Sequence, residues 1–123
     1  MRRGFRLRGE RGATLVEYAL VLLVFLTLVF GIMEFGRVIF LYSALTNAAR
    51  EGARYGIVPP HNAAAAAARA QEYARDAGLD SATIVVSFSG DTVTVRADYT
   101  ADLLTGLFGA SIPLQAESTM WLE

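Results

Sequence analysis

From Tyr18 to Met33 the chain runs sixteen residues without a charge, and fourteen of them are apolar. Taken back to Ala13, the stretch is 21 residues with one charge, Glu17. At about 1.5 Å of rise per residue, a helix of that length reaches roughly 30 Å, the hydrocarbon thickness of a bilayer. A soluble protein of 123 residues would have to surround such a helix with equally apolar elements, and none follow. A membrane-spanning helix is therefore the first expectation. A cleaved secretory signal fits less well, because the apolar run is long for one and no A-x-A site followed by polar sequence ends it. Instead it continues as Glu34-Phe35-Gly36-Arg37-Val38-Ile39-Phe40-Leu41-Tyr42 with helical apolar spacing.

The charges are segregated around this stretch. Residues 1–12 hold Arg2, Arg3, Arg6, Arg8 and Arg11 against Glu10 alone, a net +4, whereas the remaining residues hold six Arg against eleven acids, a net -5. The positive-inside rule keeps the Arg-rich head cytoplasmic and sends the acidic remainder across, giving a single pass through a membrane with an extracytoplasmic C-terminal part. The near-neutral total of -1 gives no sign of nucleic-acid binding, and the absence of cysteine removes disulfides and thiolate metal sites.

Helical periodicity persists through Leu41, Leu45, Ala48, Ala49, Gly52 and Ala53 to about Tyr55, so one helix of roughly 40 residues is expected over 13–56. Gly56 and Pro59-Pro60 end it, and 57–62 reads as a linker. Gly52 and Gly56 mark either a close contact or fraying ahead of the prolines. In the head, 63–123, Asn62 caps a second helix that Gly78 closes, with i,i+3 pairs Arg69–Glu72 and Glu72–Arg75 and a face of Ala66, Ala70, Tyr73 and Ala77. The period then changes to two. Ile84, Val86 and Phe88, then Val93, Val95, Ala97 and Tyr99, read as strands joined by a hairpin at Ser89-Gly90-Asp91. After an apolar patch from Leu103 to Phe108, a third run follows in Ile112, Leu114, Ala116, Ser118 and Met120, whose Pro113 favours an edge strand or a strand start. The fold class is α+β: a long N-terminal transmembrane helix, a second helix and a small antiparallel sheet of about three strands. A head of this size without disulfides has a marginal core of its own, which packing on the distal half of the long helix or on neighbouring subunits would relieve.

The junction Arg11-Gly12-Ala13-Thr14-Leu15-Val16-Glu17-Tyr18 places a glycine at the end of a basic leader and a glutamate five residues further on. With Gly31-Ile32-Met33-Glu34-Phe35-Gly36-Arg37 and the block from Leu45 to Tyr55, it resembles the type IV pilin superfamily, and in particular the TadE-like pseudopilins of tight-adherence (Flp-type) pili, over about residues 10–56. The head matches only in architecture. The resemblance implies removal of the leader, 1–12, by a prepilin peptidase between Gly12 and Ala13. It also implies a role for Glu17 in neutralising the freed amine of Ala13 in an adjacent subunit, with Tyr18 beside it in the assembly segment. A lone carboxylate in an apolar segment is costly and is usually retained for a partner, while a solvated interfacial glutamate is the plainer alternative. Glu34 and Arg37, one turn apart, form a local salt bridge or an intersubunit contact.

Chemistry is not visible. There is no Cys/His cluster, no phosphate-cradling glycine loop and no nucleophile set, and His61 reads as a solvent-exposed turn residue. No enzyme activity, cofactor or metal is expected. The expected function is structural: a minor pilin or pseudopilin that assists pilus assembly, adhesion or secretion, in homo- or hetero-oligomers with other pilins and pilus-assembly membrane proteins, at the membrane or in an extracellular filament. The alternatives are a major filament subunit and, from another class, a monomeric membrane-tethered envelope-binding or sensory module.

Overall fold

The computed structural model describes residues 6–103 and 111–123, with side chains from Gly9 onward. Five elements follow in order: α1 (Arg6–Gly56), α2 (Ala63–Asp76), β1 (Thr83–Ser89), β2 (Thr92–Asp102) and β3 (Ser111–Trp121). The chain is α+β, with the long apolar helix first, the second helix next and an antiparallel sheet of order β1-β2-β3. Of the apolar patch after β2, residues 104–108 lie outside the described residues.

The helix begins ahead of Ala13, at Arg6, and is 51 residues long rather than roughly 40. Arg, Leu and Glu between residues 6 and 12 favour a helix, and Gly9 and Gly12 each cost only about 1 kcal/mol against alanine, too little to break it. The chain divides into two compact units, residues 1–35 and 36–123. In the first, the apolar side chains face outward: Leu15, Val16, Leu20 to Leu23 and Ile32 are all more than half exposed.

The second unit has its own core. From residue 41 onward α1 buries Leu41, Ala44, Leu45, Ala48, Ala49 and Ala53, the three-and-four spacing of one helical face. Opposite it, β2 buries Val93, Val95, Ala97 and Ala101 at spacing two, with Ile84, Val86, Phe88, Leu114 and Met120 of the outer strands packed around them. The distal half of α1 thus supplies much of the head's core. At Gly52 a built Cβ would lie 2.8 Å from the Ala70 Cβ and 3.3 Å from the Val95 Cγ1, and at Gly56 it would lie 3.1 Å from the Val93 Cγ2. Both glycines therefore mark close contacts, and α1 is pressed against α2 and the sheet together.

These contacts fix the direction of packing. Gly52 meets Val95 and Gly56 meets Val93, four helix residues (about 6 Å) against two strand residues (about 7 Å), so α1 and β2 run antiparallel. Arg37 closes the other end by donating from Nη1 to the Asp102 carbonyl at 2.6 Å. From Gly52 to Arg37 is about 22 Å of helix and from Val95 to Asp102 about 24 Å of strand, so the two stay in step throughout.

Asn62 caps α2 as its side chain predicts, with Oδ1 accepting from the Ala64 and Ala65 amides at 3.0 and 3.3 Å. Gly78 (φ 86°) takes the left-handed conformation that follows the helix. The buried face of α2 is Ala66, Ala70 and Ala74, and Tyr73 is 39% exposed, which corrects the expected face by one position. Glu72 pairs with Arg69 at 3.4 Å, and the expected Glu72–Arg75 pair does not form among the described residues. In the β1–β2 hairpin Ser89 pairs with Thr92, and only the first central residue, Gly90, has a positive φ (56°), the pattern of a type II′ turn. Pro113 lies in β3, an edge strand, where its missing amide removes no ladder bond. His61 is not a solvent-exposed turn residue. It is half-buried, its Nδ1 lies 3.1 Å from the Gly56 carbonyl, and its ring meets Phe88 edge-on at 6.3 Å, because a φ of 54° turns the side chain back over the end of α1.

Candidate functional site

The residues with a sequence-based expectation of function fall at two levels of α1. Gly12, Ala13, Glu17 and Tyr18 lie within two turns of one another and are exposed, Tyr18 at 73%. Thr14, between them, donates from Oγ1 to the Glu10 carbonyl at 2.9 Å, a bond internal to the helix. Nothing lies within 4 Å of a Cβ built on Gly12, so packing within the chain places no demand for glycine there. Glu17 makes no ion pair among the described residues.

Glu34 stands seventeen residues further, about 25 Å along the helix axis, and does not join the first group. It is 7% exposed, against 63% and 68% for its neighbours Met33 and Phe35. Arg37 is half-buried, and its bond to the Asp102 carbonyl spans 65 residues of sequence. That partner carries no sequence signature, because the acceptor is a backbone carbonyl that any residue type would offer.

Above this level, charged side chains cross between the helices. Glu51 of α1 accepts from Arg69 of α2 at 3.4 Å and lies 3.9 Å from Arg54, along one wall of an open groove of about 610 Å³ that Tyr55 and Val58 also line. Glu51 and Arg54 are one helical turn apart within α1, whereas the link to Arg69 depends on how α2 folds back. The groove's acids and bases are paired with one another, and no nucleophile stands beside a base there. It is a surface feature without evident chemistry.

A helix of transmembrane length and hydropathy, outward-facing in its apolar part and ending in a small sheet-bearing head, defines a chain compatible with a single-pass membrane protein. More particularly, residues 12–54, about a third of the chain, match the family of TadE-like proteins, so this segment is similar to that family. The matched segment includes Gly12, Ala13, Glu17, Tyr18, Glu34 and Arg37. No curated protein and no solved structure matches the chain.

Proposed function

We propose that the chain is a structural, non-enzymatic minor pilin or pseudopilin of a tight-adherence pilus, processed by a prepilin peptidase after Gly12 and assisting pilus assembly, surface adhesion or secretion. In this reading residues 1–12 are the cytoplasmic leader, α1 crosses the inner membrane, and the unit that α1 shares with α2 and the sheet lies outside the cytoplasm. Other pilins and pilus-assembly membrane proteins are its partners.

The observation that carries the reading is the state of α1 between Ala13 and Met33. Its apolar side chains face outward instead of into a core, so the helix needs an external apolar partner, lipid or another subunit's helix. Two further observations support it. Gly12 has no packing reason to be glycine, and glycine costs a helix about 1 kcal/mol against alanine, consistent with a requirement from outside the fold such as a protease site. Glu17 has no ion-pair partner among the described residues, which suits a partner in another chain.

Mass spectrometry of the protein from pilus-assembling cells tests the reading. A mature chain beginning at Ala13 is expected in a strain with the prepilin peptidase and an intact Arg-rich terminus in a strain without it. An intact terminus in both would sink the processing claim and favour a membrane-tethered module.

A further inference from the structure

The helices cover one face of the sheet and leave the other open. Val93, Val95 and Ala97 of β2, with Ile84, Val86 and Phe88 of β1, pack into the core, while the residues between them point away from it. On this outer face, at the hairpin end, stands Trp121, the one tryptophan of the chain. It is 76% exposed, more than any other large apolar side chain among the described residues. Its exposure does not come from fraying: just past it the Leu122 amide donates to the Asp91 carbonyl at 2.7 Å and the Glu123 amide to the Ile57 carbonyl at 3.3 Å. Hydroxyls border the indole. Thr92 is its cross-strand partner, Thr119 lies two residues back on the same side of β3, and Thr94 pairs with Thr119, their Oγ1 atoms 3.0 Å apart. Beyond the hydroxyls come longer polar side chains: Arg96, whose Nε donates to Asp98 at 3.2 Å, and Glu117, in register with Arg96.

We propose that the outer face of the sheet binds a neutral polysaccharide, with Trp121 stacked on a sugar ring and the threonine hydroxyls bonded to the sugar hydroxyls. A pyranose ring in its chair form has a face of C–H bonds and a rim of hydroxyls. It therefore suits a rigid aromatic surface with groups beside it that both donate and accept. Trp121 supplies the first, and threonine hydroxyls, each a donor and an acceptor, supply the second. From Trp121 to Glu117 the row extends about 14 Å, so a chain of sugars finds polar partners past the stacked ring. Other occupants fit this face less well. Its charges are Arg96 against Asp98, Asp102 and Glu117, a net negative field that repels nucleic acid, anionic lipid and acidic polysaccharide. A second copy docked face to face sets these acids against one another. A protein partner needs a contiguous apolar centre, and the two exposed large apolar side chains here, Trp121 on β3 and Val85 on β1, lie about 17 Å apart with the threonines of β2 between them. The face belongs entirely to the head, so its binding is separable from leader cleavage and pilus incorporation.

Because Trp121 is the one tryptophan, its emission reports on the site directly. The full-length protein, in lauryldimethylamine oxide so that the detergent carries no sugar, is titrated with cellohexaose, with N-acetylated chitohexaose and, as the acidic comparison, with oligogalacturonate. The expected result is a saturable blue shift with at least one of the neutral oligosaccharides and none with oligogalacturonate. Calorimetry with the same neutral oligosaccharide then compares variants whose melting temperatures match the parent's. Trp121→Ala is expected to weaken binding about tenfold or more, and Trp121→Phe, which keeps a stacking ring, by less. Thr94→Val combined with Thr119→Val should weaken it several-fold. Tyr55→Ala, which removes an exposed aromatic ring from the groove between the helices, should leave it unchanged. No saturable shift with either neutral oligosaccharide overturns the proposal, and so does equal binding of oligogalacturonate. Binding that survives Trp121→Ala puts the site elsewhere and overturns it as well, while full affinity in the double threonine variant overturns the role of the hydroxyls.

Discussion

A Cβ built on Gly52 would stand 2.8 Å from the Cβ of Ala70, closer than two such carbons pack, so α1 and α2 approach as near as they do only because residue 52 has no side chain. The Ala66 carbonyl and the Val95 Cγ1, both at 3.3 Å, close off the other ways out. Gly52→Ala is expected to destabilise the head by about 1 to 3 kcal/mol through overpacking, minus up to about 1 kcal/mol from better helix propensity. Gly36→Ala, where nothing lies within 4 Å, is expected to leave stability unchanged or raise it. Adding Ala70→Gly to Gly52→Ala should recover part of the loss. Melting followed by circular dichroism in detergent gives the order, and a Gly52→Ala variant as stable as the parent refutes the close contact.

The start of α2 depends on Asn62, whose one side-chain oxygen satisfies two of the helix's orphan amides. Removing it in Asn62→Ala is expected to cost about 1 kcal/mol, and Asn62→Ser, which keeps a capping oxygen, much less. Amide exchange is the direct measure: the Ala64 and Ala65 amides should exchange faster in Asn62→Ala while those of β2 change little. Uniform acceleration through the whole head would point to a different role.

Leu45 is fully buried where α1 meets the rest of the head. Leu45→Ala is expected to destabilise by about 2 to 5 kcal/mol through lost burial and the cavity left behind. Asn47→Ala, on the exposed side of the same helix, should stay within about 0.5 kcal/mol of the parent. Equal effects from the two substitutions, measured by denaturant unfolding in detergent, would mean that this half of α1 is not part of the head's core.

What the sequence made legible and what it did not have separate physical causes. Periodicities of 3.6 and 2 located every element, because side chains such as Leu45, Val93 and Val95 contrast with polar neighbours. The phase of α2 was not readable for the opposite reason. The side of α2 left free by Arg69, Gln71, Glu72, Arg75 and Asp76 offers both Tyr73 and Ala74, and Tyr73 drew the expected face by one position when alanine's small size was what the contact with Gly52 required. His61 was misread because a left-handed backbone at a non-glycine residue leaves no trace in composition. Of the proposed site residues, Gly12, Ala13 and Glu17 stand out in the sequence by contrast with their surroundings. The Arg37–Asp102 attachment joins a side chain to a backbone carbonyl in a different element, and only folding brings it into view.

Glu17 is the residue whose replacement best separates anchoring from assembly. A carboxylate at a bilayer centre costs about 2.5 to 3.5 kcal/mol, falling towards the interface, so removing it can only favour insertion. It is exposed and makes no ion pair among the described residues, so its loss breaks no salt bridge within them. Glu17→Ala is therefore expected to insert and to be cleaved at the parent's level, yet to incorporate several-fold less into the pilus complex. Glu17→Gln, which keeps the size and drops the charge, should fail in the same way if neutralising the Ala13 amine of an adjacent subunit is what matters. Co-purification with the other pilins, normalised to membrane-inserted protein, reads this directly. Parent-level incorporation of both variants would show that Glu17 is only a solvated residue near the membrane surface. Loss in Glu17→Ala with full activity in Glu17→Gln would assign its role to hydrogen bonding or packing instead of charge.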